Sequence, residues 1–533
     1  MSGLKVAVLG HLALDQAATR LSSDPDVAAS QLQLQNFTRV LMDDGRMLDH
    51  LEFLKGSRPE FSDTRFSVWE IYLAGGLLLA SSLRRAGLET KLINTIDNQN
   101  EDEAIAELID FAPDILVLST TFVLSQGQFF SLCRTARSWL PDAFIIAGGQ
   151  HIFTTMLNMP RAQQRQYFTA SGIDAFVNDS QGESALVSLC LDRASIADTP
   201  NVVWANEDGD VIHNEIALES NDMNQSLVNF EDAAPGSIVS MRTARSCAFR
   251  CAFCSYPSVA GELAHTGVEE SLAALIRAKE AGAKAIIFTD DTFNVPRDRF
   301  EELIDRMIEA DIGLPWYSFF RCQYADRDLV RKMRLSGCEG VFLGIESGSD
   351  KILKNMKKGA ISRFYWDGLE WLQEFDIISV GAFVIGFPGE TEETVAETVN
   401  FIKRSGLDFY FIQPFYYLHH APIFKRREDF GLQGNGLRWS HDTMNWQTAI
   451  SHIDRIFHEV SDPVFINPDY NLWEVAYLRG KGMSKAQIID YRRQVNAMTV
   501  NQMRNADRGS FAVTSRDTGF QKSNQTDVQT ARP

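Results

Sequence analysis

Three cysteines, Cys247, Cys251 and Cys254, fall in the run Arg245-Ser246-Cys247-Ala248-Phe249-Arg250-Cys251-Ala252-Phe253-Cys254-Ser255-Tyr256-Pro257, a CxxxCxxC spacing with aromatic residues between the thiols. Three soft ligands on one short loop can hold three irons of a cubic iron–sulfur cluster and leave the fourth iron open to another ligand. A structural zinc site would want a fourth protein ligand, and no second Cys or Cys/His pair follows at zinc-finger spacing. Phe253, between the last two thiols, can shield such a cluster from water. The other cysteines, Cys133, Cys190, Cys322 and Cys338, are dispersed and read as small buried apolar residues rather than a disulfide framework.

Four further groups sit where strands end. Asp290 and Asp291 lie in Phe288-Thr289-Asp290-Asp291-Thr292-Phe293, Arg321 follows an aromatic strand, and Glu346 opens Glu346-Ser347-Gly348-Ser349. Glu346 can accept hydrogen bonds from a ribose or an ammonium group, and Arg321 can clamp a carboxylate with two parallel N–H donors. The alternative is structural: Arg321 and Glu346 can pair with each other, and Asp290 can cap the following turn.

These groups need two frameworks. Through the first 190 or so residues, apolar runs alternate with helical stretches at Val6–Leu9, Thr90–Ile96, Ile115–Ser119, Phe144–Ala147 and Asp174–Val177, the pattern of five parallel strands in a doubly wound, Rossmann-like sheet. Ligands of such sheets sit beyond the carboxyl ends of the strands, which here carry Ser119-Thr120-Thr121, Gly148-Gly149-Gln150 and Gln181-Gly182-Glu183. Glycine at those places lets the backbone approach a large ligand closely. The long insertion Leu12–Ser67 is rich in leucine and phenylalanine and is expected to be a helical cap on the ligand face. Asp208-Gly209 marks a hairpin turn within an expected linker, 196–235. A second βα series follows, with strands expected at Ile238–Arg242, Ala285–Thr289, Trp316–Arg321, Gly340–Glu346, Ser379–Ile385 and Phe409–Gln413, and the cysteine loop directly after the first of them. Six βα units make a partial (β/α)6 barrel, whose chemistry belongs at the carboxyl ends of its strands. The expected division is an α/β domain over 1–195, the linker, the barrel over 236–426, a small helical C-terminal region over 427–508 and a disordered tail over 509–533.

The chain of 533 residues carries a formal net charge of -19, which argues against nucleic acid as a partner and for a small-molecule or peptide substrate. No apolar run is long enough to span a membrane, and the expectation is a cytoplasmic enzyme in a reducing compartment.

The barrel half, roughly 237–414, resembles the radical S-adenosylmethionine superfamily. The resemblance rests on the cysteine run, on Asp290-Asp291-Thr292-Phe293, on Glu346-Ser347-Gly348, and on Val384-Ile385-Gly386-Phe387-Pro388-Gly389-Glu390-Thr391. With a doubly wound domain in front, the chain is similar to class B cobalamin-dependent radical methyltransferases. The cysteine phrase is most similar to that of the phosphinate P-methyltransferases and the thiopeptide tryptophan C-methyltransferases. The resemblance implies a 4Fe-4S cluster on Cys247, Cys251 and Cys254, with S-adenosylmethionine on its open iron. It implies a cobalamin-binding first domain, and cofactor contacts at Ser119, Thr120, Gly148, Gly149, Gly182, Glu183, Asp290, Asp291, Arg321 and Glu346. It also implies an external electron donor such as a flavodoxin or ferredoxin, and methylation of an unactivated carbon or phosphorus centre. The Asp-x-His-x-x-Gly motif of many corrinoid proteins is absent, since the first strand runs into Gly10-His11-Leu12; Arg65 or Trp69 is a candidate to occupy the lower face of cobalt without coordinating. Two other readings stand beside methyl transfer: a radical oxidation, rearrangement or cyclisation with the same cofactors, and a non-catalytic corrinoid or iron–sulfur protein. The sequence assigns no catalytic residue and no particular substrate. His419-His420 are candidates to meet an anionic one, and Trp439, Trp446, Tyr470 and Trp473 read as core.

Overall fold

The computed structural model describes residues 3–14, 37–41, 47–62 and 64–507. Its first sheet contains β1 (Lys5–Leu9), β2 (Glu89–Ile93), β3 (Ile115–Ser119), β4 (Phe144–Gly148) and β5 (Ala175–Val177), all parallel, in the order β5-β4-β3-β1-β2. Val6, Ala7 and Val8 are fully buried, as a parallel strand covered on both faces requires, and that is why these runs are continuously apolar. Beyond β2, Ile96–Asp97 forms a separate pairing with Leu12–Ala13. Asn94 interrupts the expected longer strand because its side chain is engaged elsewhere. It accepts from the Leu73 N–H at 3.0 Å and donates to the Ile71 carbonyl at 3.0 Å.

The hairpin of β6 (Val202–Ala205) and β7 (Val211–His213) corrects the linker expectation. β6 pairs antiparallel with β5, Trp204 opposite Ala175, so the hairpin extends the first sheet to seven strands. The chain crosses to the second domain after it, held by Arg84, which grips Asp232 at 2.6 Å, and by Arg85, which donates to the Leu227 carbonyl at 2.7 Å.

The second sheet is parallel and runs in sequence order: β8 (Ile238–Met241), β9 (Ala285–Phe288), β10 (Trp316–Phe320), β11 (Cys338–Glu346), β12 (Ile378–Ile385), β13 (Phe409–Pro414) and β14 (Val464–Phe465). Six strands match expectation; β14 was not expected, and it comes from the C-terminal region. That region is therefore not purely helical, and it also holds a small antiparallel sheet of Gln433–Asn435, Arg438–His441 and Met444–Asn445. The free edge of β8 is covered by Tyr72, whose N–H donates to the Ile238 carbonyl and whose carbonyl accepts from the Ser240 N–H, both at 2.9 Å.

One hydrophobic core runs through both domains, with Leu77, Ile146 and Val177 in the same cluster as Val239 and Ile286. The four dispersed cysteines are buried within the cores. The described part of the insertion holds the Leu12–Ala13 strand, a hairpin of Arg39–Leu41 with Met47–Asp49, an α-helix, His50–Ser57, and a short 3-10 helix, Pro59–Phe61. It docks on the C-terminal region: the Tyr491 hydroxyl donates to the His50 carbonyl at 2.7 Å, and the Phe37 ring meets Phe457 at 4.7 Å. Residues 15–36 of the expected cap and the expected tail over 509–533 lie outside the described residues. No helix among the described residues is long and apolar enough to cross a membrane.

Candidate functional site

The carboxyl ends of the two sheets open on one cavity of about 460 Å³. Gly10, Ser119, Gly148, Gly149, Gly182 and Glu183 line it from the first sheet. Arg242, Thr289, Asp291 and Phe319 line it from the second, with Tyr256 and Trp473 between. Trp473 packs against the core, as expected, and also reaches the cavity wall.

Glycine is required on the first wall. Gly149 has φ of 107°, and a Cβ there would stand 3.2 Å from the Thr120 nitrogen; at Gly182, with φ of 78°, it would stand 2.7 Å from Val177 Cγ1. Thr120 itself does not face the cavity. It is buried, and its N–H and hydroxyl both donate to the Gly148 carbonyl at 2.8 Å, stapling the ends of β3 and β4 together.

The cysteine loop is sewn into the second domain through Ala252, whose N–H donates to the Met356 carbonyl at 2.7 Å and whose carbonyl accepts from the Ile423 N–H at 2.8 Å. Cys251 is buried and Cys247 and Cys254 are half-buried. Burial pushes the Cys254 thiol up to about 11 and raises that of Cys247, so a bound cationic metal would be what draws the protons off. Among the described residues no three His, Cys, Asp or Glu side chains converge on a single ion. Three thiols on one short loop fit a cluster, in which each iron takes its own sulfur.

The two aspartates part company. Asp290 is fully buried and accepts from the Thr243 N–H at 2.7 Å, the Ala244 N–H at 2.6 Å and the Thr243 hydroxyl at 2.8 Å. It braces the segment leading to Cys247 and does not line the cavity. Asp291 does line it, and burial, then the neighbouring Asp290, push its carboxyl up to about 7. Arg321 and Glu346 are likewise absent from the cavity wall, and they are not paired with each other. Glu346 accepts from Lys358 Nζ at 2.8 Å, and it holds a φ of 67° where the β11–β12 register shifts. Arg321 donates to the Lys358 carbonyl at 3.0 Å and to Cys251 Sγ at 3.5 Å.

Neither residue suggested for the lower face of cobalt lines the cavity. Arg65 pairs with Asp97 at 2.6 Å. Trp69 lies against His11 (ring centroids 4.3 Å) and Phe122 (5.3 Å). Burial lowers His11 to about 4, so its imidazole is neutral at ordinary pH. His419 is held by the Gly434 carbonyl at 2.8 Å, and Trp439 is core as expected.

Two residues at the site escaped the sequence reading. Arg245 is buried at the seam between the domains and donates to Gln181 Oε1 at 2.6 Å, Glu183 Oε1 at 3.3 Å and Ser226 Oγ at 3.4 Å. Lys358, also buried, holds Glu346. Arg245 had one signal, its place just ahead of the first cysteine; Lys358 had none.

Residues 241–402 match the Radical SAM superfamily. An uncharacterized methyltransferase of Pyrococcus horikoshii is 27% identical over 73% of this chain and 84% of its own length. Among solved structures, the radical S-adenosylmethionine methyltransferase TsrM of Kitasatospora setae, with cobalamin and a [4Fe-4S] cluster bound, superposes with a TM-score of 0.61 at 15% identity, over 81% of this chain and 96% of that one. A second structure of TsrM, holding tryptophan and a S-adenosylmethionine analogue, gives a TM-score of 0.53 at 18% identity, over 66% of this chain and 71% of that one. The cobalamin-dependent S-adenosylmethionine radical enzyme OxsB gives a TM-score of 0.53 at 16% identity, over 84% of this chain and 80% of that one. The chain therefore carries a radical SAM domain, and it has the fold of the cobalamin-dependent radical S-adenosylmethionine enzymes.

Proposed function

We propose that the chain is a cobalamin-dependent radical S-adenosylmethionine methyltransferase that methylates an unactivated carbon or phosphorus centre of a small-molecule or peptide intermediate. The observation that carries this reading is the single cavity with glycine loops on one wall and the cysteine-bearing domain on the other. A methyltransferase among the sequence relatives and TsrM among the structures support it.

In this reading Cys247, Cys251 and Cys254 hold the cluster. Ser119, Gly148, Gly149 and Gly182 hold the corrinoid, because their small side chains and left-handed turns leave room for a broad ring. Asp291, Arg242 and Tyr256 face the space between, where S-adenosylmethionine and substrate would meet. When bound, the cluster and S-adenosylmethionine supply one-electron chemistry, and cobalamin supplies a methyl carrier for a centre that is no nucleophile. The chain contributes position. The two backbone bonds of Ala252 fix the cysteine loop, Arg245 locks it to the Gln181-Gly182-Glu183 loop, and the shared core keeps both walls at one spacing and excludes water. Asp291, with its carboxyl near neutrality, can hold or release a proton at Oδ1 or Oδ2 within that space. The reductant comes from an external electron donor.

The test is anaerobic reconstitution of the full chain with iron, sulfide and cobalamin, followed by methyl-labelled S-adenosylmethionine and a reductant. The expected result is label on the corrinoid together with S-adenosylhomocysteine; no labelled corrinoid contradicts the reading. OxsB, described as a radical enzyme, favours a second reading, a radical transformation without methyl transfer. That reading predicts deoxyadenosine without S-adenosylhomocysteine, and a product that gains no methylene.

A further inference from the structure

Arg321 follows directly after β10, its N–H donating to Asn294 Oδ1 and its carbonyl accepting from Asn294 Nδ2, both at 2.9 Å. The residue is only 8% exposed. Its guanidinium lies 3.6 Å over the Phe249 ring, donates through NH1 to the Lys358 carbonyl at 3.0 Å, and donates through NH2 to Cys251 Sγ at 3.5 Å. Among the described residues no carboxylate pairs with it, and Glu346, the acid in the neighbouring strand end, is bound to Lys358. A guanidinium keeps its proton at any ordinary pH, and a buried charge without a counter-ion is strongly unfavourable. The partner it points at is a cysteine sulfur.

We infer that Arg321 is the counter-ion of the cluster site: it donates to the Cys251 sulfur of the bound cluster and makes that cluster easier to reduce. The inference rests on the functional reading above, that the three cysteines hold an iron–sulfur cluster. Reduction adds one electron and one negative charge to the cluster while every bond to the protein stays in place. A fixed cation and an N–H donor at a ligand sulfur favour the more negative state, and hydrogen bonds to sulfur and local charge are what tune such potentials. The Phe249 face and the two Asn294 bonds hold the fork aimed at the sulfur. Arg321 is thus a positioning residue that acts through the cluster, in place of the carboxylate clamp expected from the sequence.

The experiment is a redox titration of the reconstituted full chain, with dithionite as the one-electron reductant, followed by electron paramagnetic resonance of the reduced cluster, with iron and sulfide content measured in every sample. Three variants separate charge from donor: Arg321→Lys keeps the charge, Arg321→Gln keeps an N–H donor, and Arg321→Met keeps neither. Arg321→Met is expected to lower the ratio of reduced to oxidised cluster at least tenfold at a fixed potential, a shift of about 59 mV for a one-electron couple. Arg321→Lys should lie closest to wild type, with Arg321→Gln below it. If the Met variant takes up no cluster, the Lys and Gln variants decide by that same order. Potentials equal to wild type in the variants that hold a cluster overturn the inference alone. A wild-type chain that assembles no cluster overturns the functional reading and this inference with it.

Discussion

Adjacent residues just beyond β9 do opposite work, Asp290 where the chain leaves the strand and Asp291 where it turns. Asp290 turns inward to three donors, and Asp291 turns to the cavity. Asp290→Ala would leave the Thr243 and Ala244 N–H groups and the Thr243 hydroxyl without their acceptor, at about 1–3 kcal/mol for an unsatisfied buried group. Thermal melts should show a clear loss, together with lower iron uptake, because the braced segment leads to Cys247. Asp291→Ala should leave the melting temperature unchanged or raise it, since burial disfavours its charged form; equal losses in both variants would contradict the division of roles. Glu390 makes a separate prediction. Burial pushes its carboxyl up to about 8, against the lowering effect of the Gly386 and Phe387 backbone N–H groups, the first of which donates to one of its oxygens. The folded state therefore binds this proton more tightly than the unfolded chain does, and stability must fall as pH rises from about 4.5 to about 8. Glu390→Gln, neutral throughout, should remove that part of the slope in denaturation curves taken across the window. A variant as pH-sensitive as wild type would mean that Glu390 is ionised in the fold.

At the scale of elements, the strands were legible because parallel strands buried on both faces must be apolar throughout, and the cysteines were legible because one short loop carries all three. What the sequence hid were partnerships. The Asp208-Gly209 turn announced a hairpin but not that β6 would pair with β5, and β14 is two residues long, too short to carry a period. Glu346 is followed by Lys358 twelve residues later and Arg245 meets Gln181 from 64 residues away, separations at which spacing says nothing about contact. The glycine loop after β4 gives the sharpest test at this scale. Gly149→Ala places a Cβ 3.2 Å from the Thr120 nitrogen in a left-handed backbone, a strain of about 1–3 kcal/mol. Corrinoid affinity of the first domain should drop, while iron content stays at the wild-type level because the cysteine loop belongs to the second domain. Loss of both, measured by corrinoid absorbance and iron assay on one sample, would show that the walls are not separable.

The whole molecule is two sheets whose carboxyl ends face each other, one core running beneath both, and one buried arginine across the seam. Cofactors that must exchange a methyl group or a radical cannot work from separate clefts, and in the proposed function this cavity would be their common one. A corrinoid on the first sheet and an iron–sulfur cluster on the cysteine loop, beside one cavity, would be magnetically coupled. Pulsed electron paramagnetic resonance of the fully loaded chain reads the cob(II)alamin signal with the cluster oxidised and then reduced. This arrangement predicts faster relaxation and dipolar coupling of the corrinoid signal when the cluster is reduced, and loss of both effects when Cys247, Cys251 and Cys254 are all alanine. A corrinoid signal indifferent to the oxidation state of a cluster that is present would contradict it.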